Sequence, residues 1–196
     1  MLPGIFQSKF RGKKMKLETP LTEKKVKKLR AGDKVKLSGY IYTARDQAHK
    51  KLNDLIKRNK KLPIDLKDAV IYYTGPAPSR EGQVIGSCGP TTSYRMDEYT
   101  PALLEQGLRG MIGKGPRSEV VKKAIKKNKA VYFAAVGGAA ALLSKSIIES
   151  KIVAYPDLQT EAIRLLKVKN FPVVVINDIY GQDLYEIGQN KYKELG

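Results

Sequence analysis

Three stretches of this chain share one design: an apolar run ends, a turn rich in glycine or threonine follows, and a helical pattern begins. The first is Thr43-Ala44-Arg45-Asp46-Gln47-Ala48-His49. The second is Gly86-Ser87-Cys88-Gly89-Pro90-Thr91-Thr92-Ser93-Tyr94-Arg95-Met96-Asp97, and the third is Gly113-Lys114-Gly115. A helix start presents unpaired N–H groups and a partial positive charge, so each turn suits an anion. Each also carries a cation: Arg45, Arg95 or Lys114. In open α/β sheets ligands gather where strand ends meet helix starts. A dianionic substrate matches three such turns.

Arg45 and His49 stand four apart and share a face if a helix begins near Thr43. Arginine suits two-point carboxylate binding, and histidine shuttles protons near neutral pH. A surface arginine beside Asp46 with an incidental histidine fits the same pattern. In the second stretch, Thr91, Thr92 and Ser93 place three hydroxyls at a helix start. One is enough for an N-cap, so the triplet with Arg95 behind it points toward a ligand. Cys88 reads as a small buried residue. In the third, Gly113 and Gly115 let the backbone approach a ligand beside Lys114. P-loop spacing is lacking, which argues against nucleotide phosphate. Gly137-Gly138 lacks the rest of a dinucleotide fingerprint and reads as a packing turn.

Periodicity supplies the elements that must hold these turns. Thr22–Leu29 reads as a short helix capped by Thr22. Lys34–Thr43 alternates and is β-branched or aromatic, a strand pattern. Ala44–Arg58 has Ala48, Leu52 and Leu55 at helical spacing, with Thr43 and Asp46 as a capping box. Ala69–Thr74 reads as a buried strand, Val84–Gly86 as a short one, and Ser93–Gln106 as a helix stopped by Gly107. Then follow a strand at Leu108–Ile112, a helix at Ser118–Lys127, a strand at Ala130–Val136 and a helix at Ala139–Ser150. Glu161–Leu166 reads as a short helix, and Phe171–Ile176 with Asp183–Ile187 as a last strand pair. Alternating strands and helices predict an α/β domain with a mixed sheet.

At 196 residues and 42% hydrophobic, the chain suits one domain at 16–196 behind a basic extension at 1–15. Its apolar stretch at Ala130–Leu143 is broken by Gly137-Gly138, and Met1–Lys16 lacks the apolar core of a signal peptide. These features predict a soluble, cytoplasmic protein with no membrane segment. One cysteine and one histidine exclude an intramolecular disulfide and are too few for a cubane cluster or structural zinc. Any metal cofactor must then be held mostly by another polypeptide. A net charge of +18 fits a nucleic acid, an anionic substrate or an acidic partner. Its main clusters, Lys9–Arg30, Lys50–Lys61 and Lys122–Lys129, lack interleaved aromatic residues and read as solvated lysine faces.

The same loops carry a family resemblance. Gly32-Asp33 and Gly39, then Thr43-Ala44-Arg45-Asp46 with Ala48-His49, resemble the opening of class I iron–sulfur fumarase and L-tartrate dehydratase β subunits. Tyr72-Tyr73-Thr74-Gly75-Pro76 continues the likeness. Its most specific segment is Gly89-Pro90-Thr91-Thr92-Ser93 with Arg95-Met96-Asp97, followed by Ile112-Gly113-Lys114-Gly115. Tyr132-Phe133 with Gly137-Gly138-Ala139-Ala140, Asp157-Leu158 with Glu161-Ala162, and Phe171-Pro172 also fit, so the likeness covers about residues 16–188.

The resemblance implies a swivelling β/β/α domain with a mixed sheet and flanking helices, closing over a partner α subunit that holds a [4Fe–4S] cluster. It implies a hydro-lyase of the tricarboxylic acid cycle, reversibly hydrating fumarate to L-malate in an α₂β₂ heteromer and inactive as an isolated chain. A length of 196 residues from a methionine favours a separate subunit. Arg45, Arg95 and Lys114 would bind the substrate carboxylates. Thr91 would be the base, Thr92 would hydrogen-bond beside it, and His49 would relay a proton or orient a neighbour. No metal ligand is expected from this chain. L-tartrate is the alternative substrate; the choice of fumarate rests on the resemblance and on Ala44 in Thr43-Ala44-Arg45-Asp46. A basic nucleic-acid-binding protein and a non-catalytic adaptor are more distant readings.

Overall fold

The computed structural model describes residues 12–135 and 140–193. Its spine is β2 (Lys34–Thr43), which matches its sequence pattern to the residue: Val35, Leu37 and Ile41 point inward, and Lys34, Lys36 and Tyr40 outward. One edge of β2 pairs in parallel with β1 (Lys14–Glu18) and β3 (Val70–Tyr72). From β3 the sheet continues in parallel through β4 (Gly110–Gly113) to β5 (Val131–Ala135). The last long strand, β7 (Ile163–Asn177), runs antiparallel to both β5 and β2. Strands β2, β3, β4, β5 and β7 therefore close into a ring, and β6 (Ile147–Ala154) extends it along β7.

Alternation along these strands makes two cores, because successive side chains leave opposite faces. Val70, Tyr72, Phe133 and Phe171 fill the inside of the ring. Ile71, Tyr73, Met111 and Tyr132 face outward, under helices α2 (Asp46–Lys57), α3 (Thr100–Glu105) and α4 (Glu119–Lys127). These helices answer with Leu52, Leu103, Val121 and Ile125 at helical spacing. Ser118 caps α4 by accepting the Val121 N–H at 3.4 Å. The short α1 (Glu23–Val26), α5 (Ala140–Lys145) and the C-terminal α6 (Leu184–Lys193) complete a mixed α/β architecture with flanking helices.

Several elements depart from their sequence patterns. The first strand already includes Lys14 and Met15, and Met15 packs on the ring core. Val84–Gly86 is loop: Ile85 is buried against the ring core, but Val84 is exposed and the stretch forms no strand. Ser93–Gln106 divides into a 3₁₀ helix, Ser93–Met96, and α3, where Pro101 sits in the first turn. Ala139–Ser150 and Glu161–Leu166 were helical patterns; instead α5 ends at Lys145, and β6 and β7 take over as a paired ladder. Ile147, Ile148, Ile152 and Val153 are β-branched, and cross-strand pairing decides such ambiguous segments. Asp183–Ile187 begins α6 rather than a strand, leaving a single bridge from Asp183 to Asn177. Gly137-Gly138 lies outside the described residues.

Neither expected threonine cap forms. Thr22 makes no side-chain cap bond. Thr43 Oγ1 accepts the Arg164 N–H at 3.0 Å and donates to the Ala162 carbonyl at 3.4 Å, tying β2 to β7. The N-cap of α2 is Arg45. Opposite that end, β2 bulges at Gly39, whose φ of 105° and close approach to Thr19 exclude a side chain: a Cβ would sit 2.4 Å from Thr19 Oγ1.

Candidate active site

Because β2, β3, β4 and β5 are parallel, the turns that leave their C-terminal ends open on one rim. The three cation-bearing turns leave β2, β3 and β4, so the rim gathers residues far apart in sequence.

Arg45 leaves β2 and packs flat over Gly75, where a Cβ would lie 3.1 Å from Arg45 Cδ. Its Nη2 lies 3.5 Å from Asp46 Oδ2 and 3.8 Å from Glu161 Oε1. The other Glu161 oxygen accepts the Gln47 N–H at 2.8 Å. Arg45 Nε is buried and has no hydrogen-bond partner among the described residues. Arg95 comes from the 3₁₀ helix after β3, and its Nε binds Asp46 Oδ1 at 2.8 Å. Asp46 thus holds both arginines, one on each oxygen. With a side chain 54% exposed, Arg95 has solvent on its open side.

Thr91 is placed by its backbone, whose N–H donates to the Tyr73 carbonyl at 2.7 Å. Thr92 bridges Lys114 in parallel register, and the Ser93 N–H donates to the Lys114 carbonyl at 2.9 Å. The structure brings Thr91, Thr92 and Lys114 together in this way. No member of the hydroxyl triplet caps the 3₁₀ helix by its side chain. Ser93 is fully buried and structural: its Oγ accepts the Lys114 N–H at 3.1 Å and lies 2.9 Å from Tyr132 OH. Tyr132 OH then donates to the Gly115 carbonyl at 2.8 Å. The chain passes this close only because Gly113 has no side chain, since a Cβ there would meet Ser93 Oγ at 1.9 Å.

His49 lies behind the rim rather than on it. It is fully buried, edge-on to the Tyr73 ring at 5.2 Å, and its Nδ1 donates to the Arg45 carbonyl at 2.8 Å. Burial pushes its pKa down to about 4, opposed by the Arg45 carbonyl and reinforced by the Arg117 charge. Its Nε2 is buried without a partner among the described residues. Cys88 does not fit a cluster ligand. It is buried in the ring core, 3.5 Å from Thr74 Oγ1, and burial pushes its thiol up to about 11. Among the described residues no three metal-binding side chains group together.

Sequence reasoning passed over Arg117, whose side chain is wholly buried against Asp97 at 2.6 Å. A signal existed: an arginine directly before the Ser118 cap sets a cation at the positive end of α4. It passed over Glu161 as a neighbour of Arg45 too, because β7 and the turn before it were not legible there. A separate groove of about 540 Å3, lined by Lys14, Lys16, Lys34, Lys36 and Pro172, lies along the N-terminal half of β2, away from this rim.

Residues 2–188 match the family model described as the fumarase C-terminus. The chain belongs to this family. It is 40% identical over 182 residues to a putative L(+)-tartrate dehydratase subunit beta of Methanocaldococcus jannaschii, covering 89% of this chain and 93% of that one. It is 42% identical over 155 residues to the aerobic class I fumarate hydratase of Salmonella typhimurium, covering 78% of this chain and 27% of the relative. The anaerobic class I fumarate hydratase of Escherichia coli is 42% identical over 160 residues, covering 81% and 29%. The chain therefore spans under a third of the length of these two hydratases. No helix among the described residues is long and apolar enough to cross a membrane.

Proposed function

We propose that this chain is the β subunit of a cytoplasmic class I iron–sulfur fumarate hydratase, a hydro-lyase that interconverts fumarate and L-malate at a site shared with an α subunit. The observation that carries the reading is the rim itself, where Arg45 and Arg95 meet on Asp46 and Thr91 and Thr92 lie beside Lys114. Three cations suit two carboxylates, and the buried, unpartnered Arg45 Nε is a donor suited to one of them. The match to less than a third of each class I hydratase supports a partner that supplies the rest.

In this reading the domain swivels over the α subunit, which holds the [4Fe–4S] cluster and supplies the Lewis acid. This chain binds the dicarboxylate through Arg45, Arg95 and Lys114, and Thr92 donates a hydrogen bond beside them. Thr91 moves the proton at the substrate carbon. A threonine hydroxyl is a weak base, and the neighbouring cations favour its deprotonated form. Complete burial and a pKa near 4 support orientation of the Arg45 backbone as the role of His49, in preference to proton relay.

L-tartrate is the second reading, favoured by the near full-length match to the subunit from Methanocaldococcus jannaschii. The test is activity after anaerobic cluster reconstitution, with this chain alone and with its cognate α chain, on fumarate, L-malate and L-tartrate. Fumarate turnover confined to the mixture and lost in oxygen is the expected result. A mixture with an intact cluster that dehydrates tartrate and ignores fumarate selects the second reading. Full turnover in Thr91→Ala would remove Thr91 as the base; a loss of about a hundredfold or more is expected.

A further inference from the structure

We propose that Arg117, through Asp97, is the positioning residue that locks the hydroxyl turn after β3 to the lysine turn after β4. The proposal rests on the dicarboxylate reading of the rim and names what keeps its cations in register. The Arg117 side chain is wholly buried, so it reaches no ligand itself. Arg117 follows the lysine turn in the chain, and its guanidinium reaches across to the segment that follows the hydroxyl turn. Nε donates to Asp97 Oδ1 at 2.6 Å, and Nη2 donates to Thr100 Oγ1 at 2.8 Å. Nη1 lies 3.3 Å from Tyr73 OH, and the guanidinium carbon sits 5.4 Å and 5.0 Å from the Tyr73 and Tyr132 ring centroids. The second Asp97 oxygen accepts the Ser118 N–H at 2.6 Å, joining the segment that carries Arg95 to the start of α4.

The Tyr73, Tyr132 and Asp97 contacts each lead to a rim residue. The carbonyl of Tyr73 holds the Thr91 N–H, and Tyr132 holds Ser93 Oγ, which holds the Lys114 N–H. Asp97 closes the 3₁₀ turn two residues beyond Arg95. One buried cation therefore underlies Thr91, Thr92, Arg95 and Lys114 together. Fold stability does not call for a charge there, because burying an ion pair costs about what a well-packed apolar side chain would save. The start of α4 also disfavours a cation. What the guanidinium supplies, and an apolar residue cannot, is a planar fork that fixes two loops at once.

The test compares wild type with Arg117→Met, Arg117→Lys and Asp97→Asn in the reconstituted complex with the α chain. Two readouts are taken: kinetics on the substrate that the wild type turns over, and amide hydrogen exchange at Thr91 and Lys114. Positioning predicts that folded Arg117→Met raises KM about tenfold and exposes both amides to faster exchange. Arg117→Lys should rescue poorly, because an ammonium cannot bridge Asp97 and Thr100 in one plane. If Arg117→Met does not fold, Asp97→Asn, which keeps an acceptor for the Ser118 N–H, gives the same two readouts. Unchanged KM and unchanged exchange in a folded variant overturn the proposal, whatever melting temperature is found. A wild-type complex that ignores fumarate refutes the hydratase reading instead, while the exchange at Thr91 and Lys114 still decides the role of Arg117.

Discussion

His49 is the single histidine of the chain, so its protonation has one resonance and one variant to report it. Its pKa is pushed from 6.5 down to about 4, chiefly by burial. The folded state therefore resists a proton that the unfolded chain accepts, and the stability this confers is complete above about pH 6.5. It is lost as pH falls from 6.5 toward 4, since the unfolded state binds more protons there. Between pH 7 and pH 5 linkage gives a loss of about 2 kcal/mol from this one group, approaching about 3 kcal/mol below pH 4. Urea unfolding at half-unit steps of pH, on wild type and His49→Gln, isolates the contribution, because the carboxylates titrate alike in both. The wild-type curve should fall more steeply by about 2 kcal/mol over that window. Proton NMR of the imidazole should show essentially no titration between pH 8 and about pH 5.5 in the folded chain, with its midpoint near pH 4. A midpoint near 6.5, or parallel stability curves, would refute the burial argument and reopen His49 as a proton relay.

Gly113→Ala should remove turnover in the complex, because its Cβ would press on Ser93 Oγ at 1.9 Å and Tyr73 Cδ2 at 2.9 Å and displace Lys114; thermal melting should show a cost of about 1–3 kcal/mol. Phe171→Ala empties the ring core beneath Tyr72, whose ring lies 5.3 Å away edge-on; denaturant unfolding should report a loss of about 3–5 kcal/mol. Cys88, buried and with its thiol pushed up to about 11, should resist iodoacetamide at pH 8 while folded and react at once in urea; rapid labelling of the native chain would contradict its placement. Asp46→Asn should raise KM for the dicarboxylate about tenfold or more, since both arginines lose the carboxylate that aligns them.

Elements with strong period-two or period-3.6 patterns were legible from the sequence: Lys34–Thr43 as β2, the helix after it, the capped helix after Ser118, and the apolar strand at Ala130. Local pattern is enough there because one face is buried and the other solvated. Phe171–Ile176 was legible as a strand and is the second half of β7. Ile147–Ser150 and Ile163–Leu166 read as helix but fold into β6 and β7, since their partners lie across the sheet and no local window contains them. The three cation-bearing turns were legible too, because their Gly, Thr, Arg and Lys residues fall within short windows of the sequence. Their meeting on one rim required parallel strands and a closed ring, which the sequence left open as to order.

The sequence by itself determined the chemical inventory: three cationic turns, a hydroxyl triplet, one histidine and one cysteine. Only the tertiary structure decided which of these lie on the rim and which are buried behind it. It sent His49 and Ser93 into the core, where each holds a neighbour's backbone, and it paired Arg45 with Arg95 through Asp46. It also revealed Arg117, whose proposed role depends wholly on burial and on partners drawn from the segment after β3 and from β5 itself. Burial and long-range hydrogen bonding arise from chain closure, and no spacing along the sequence encodes them.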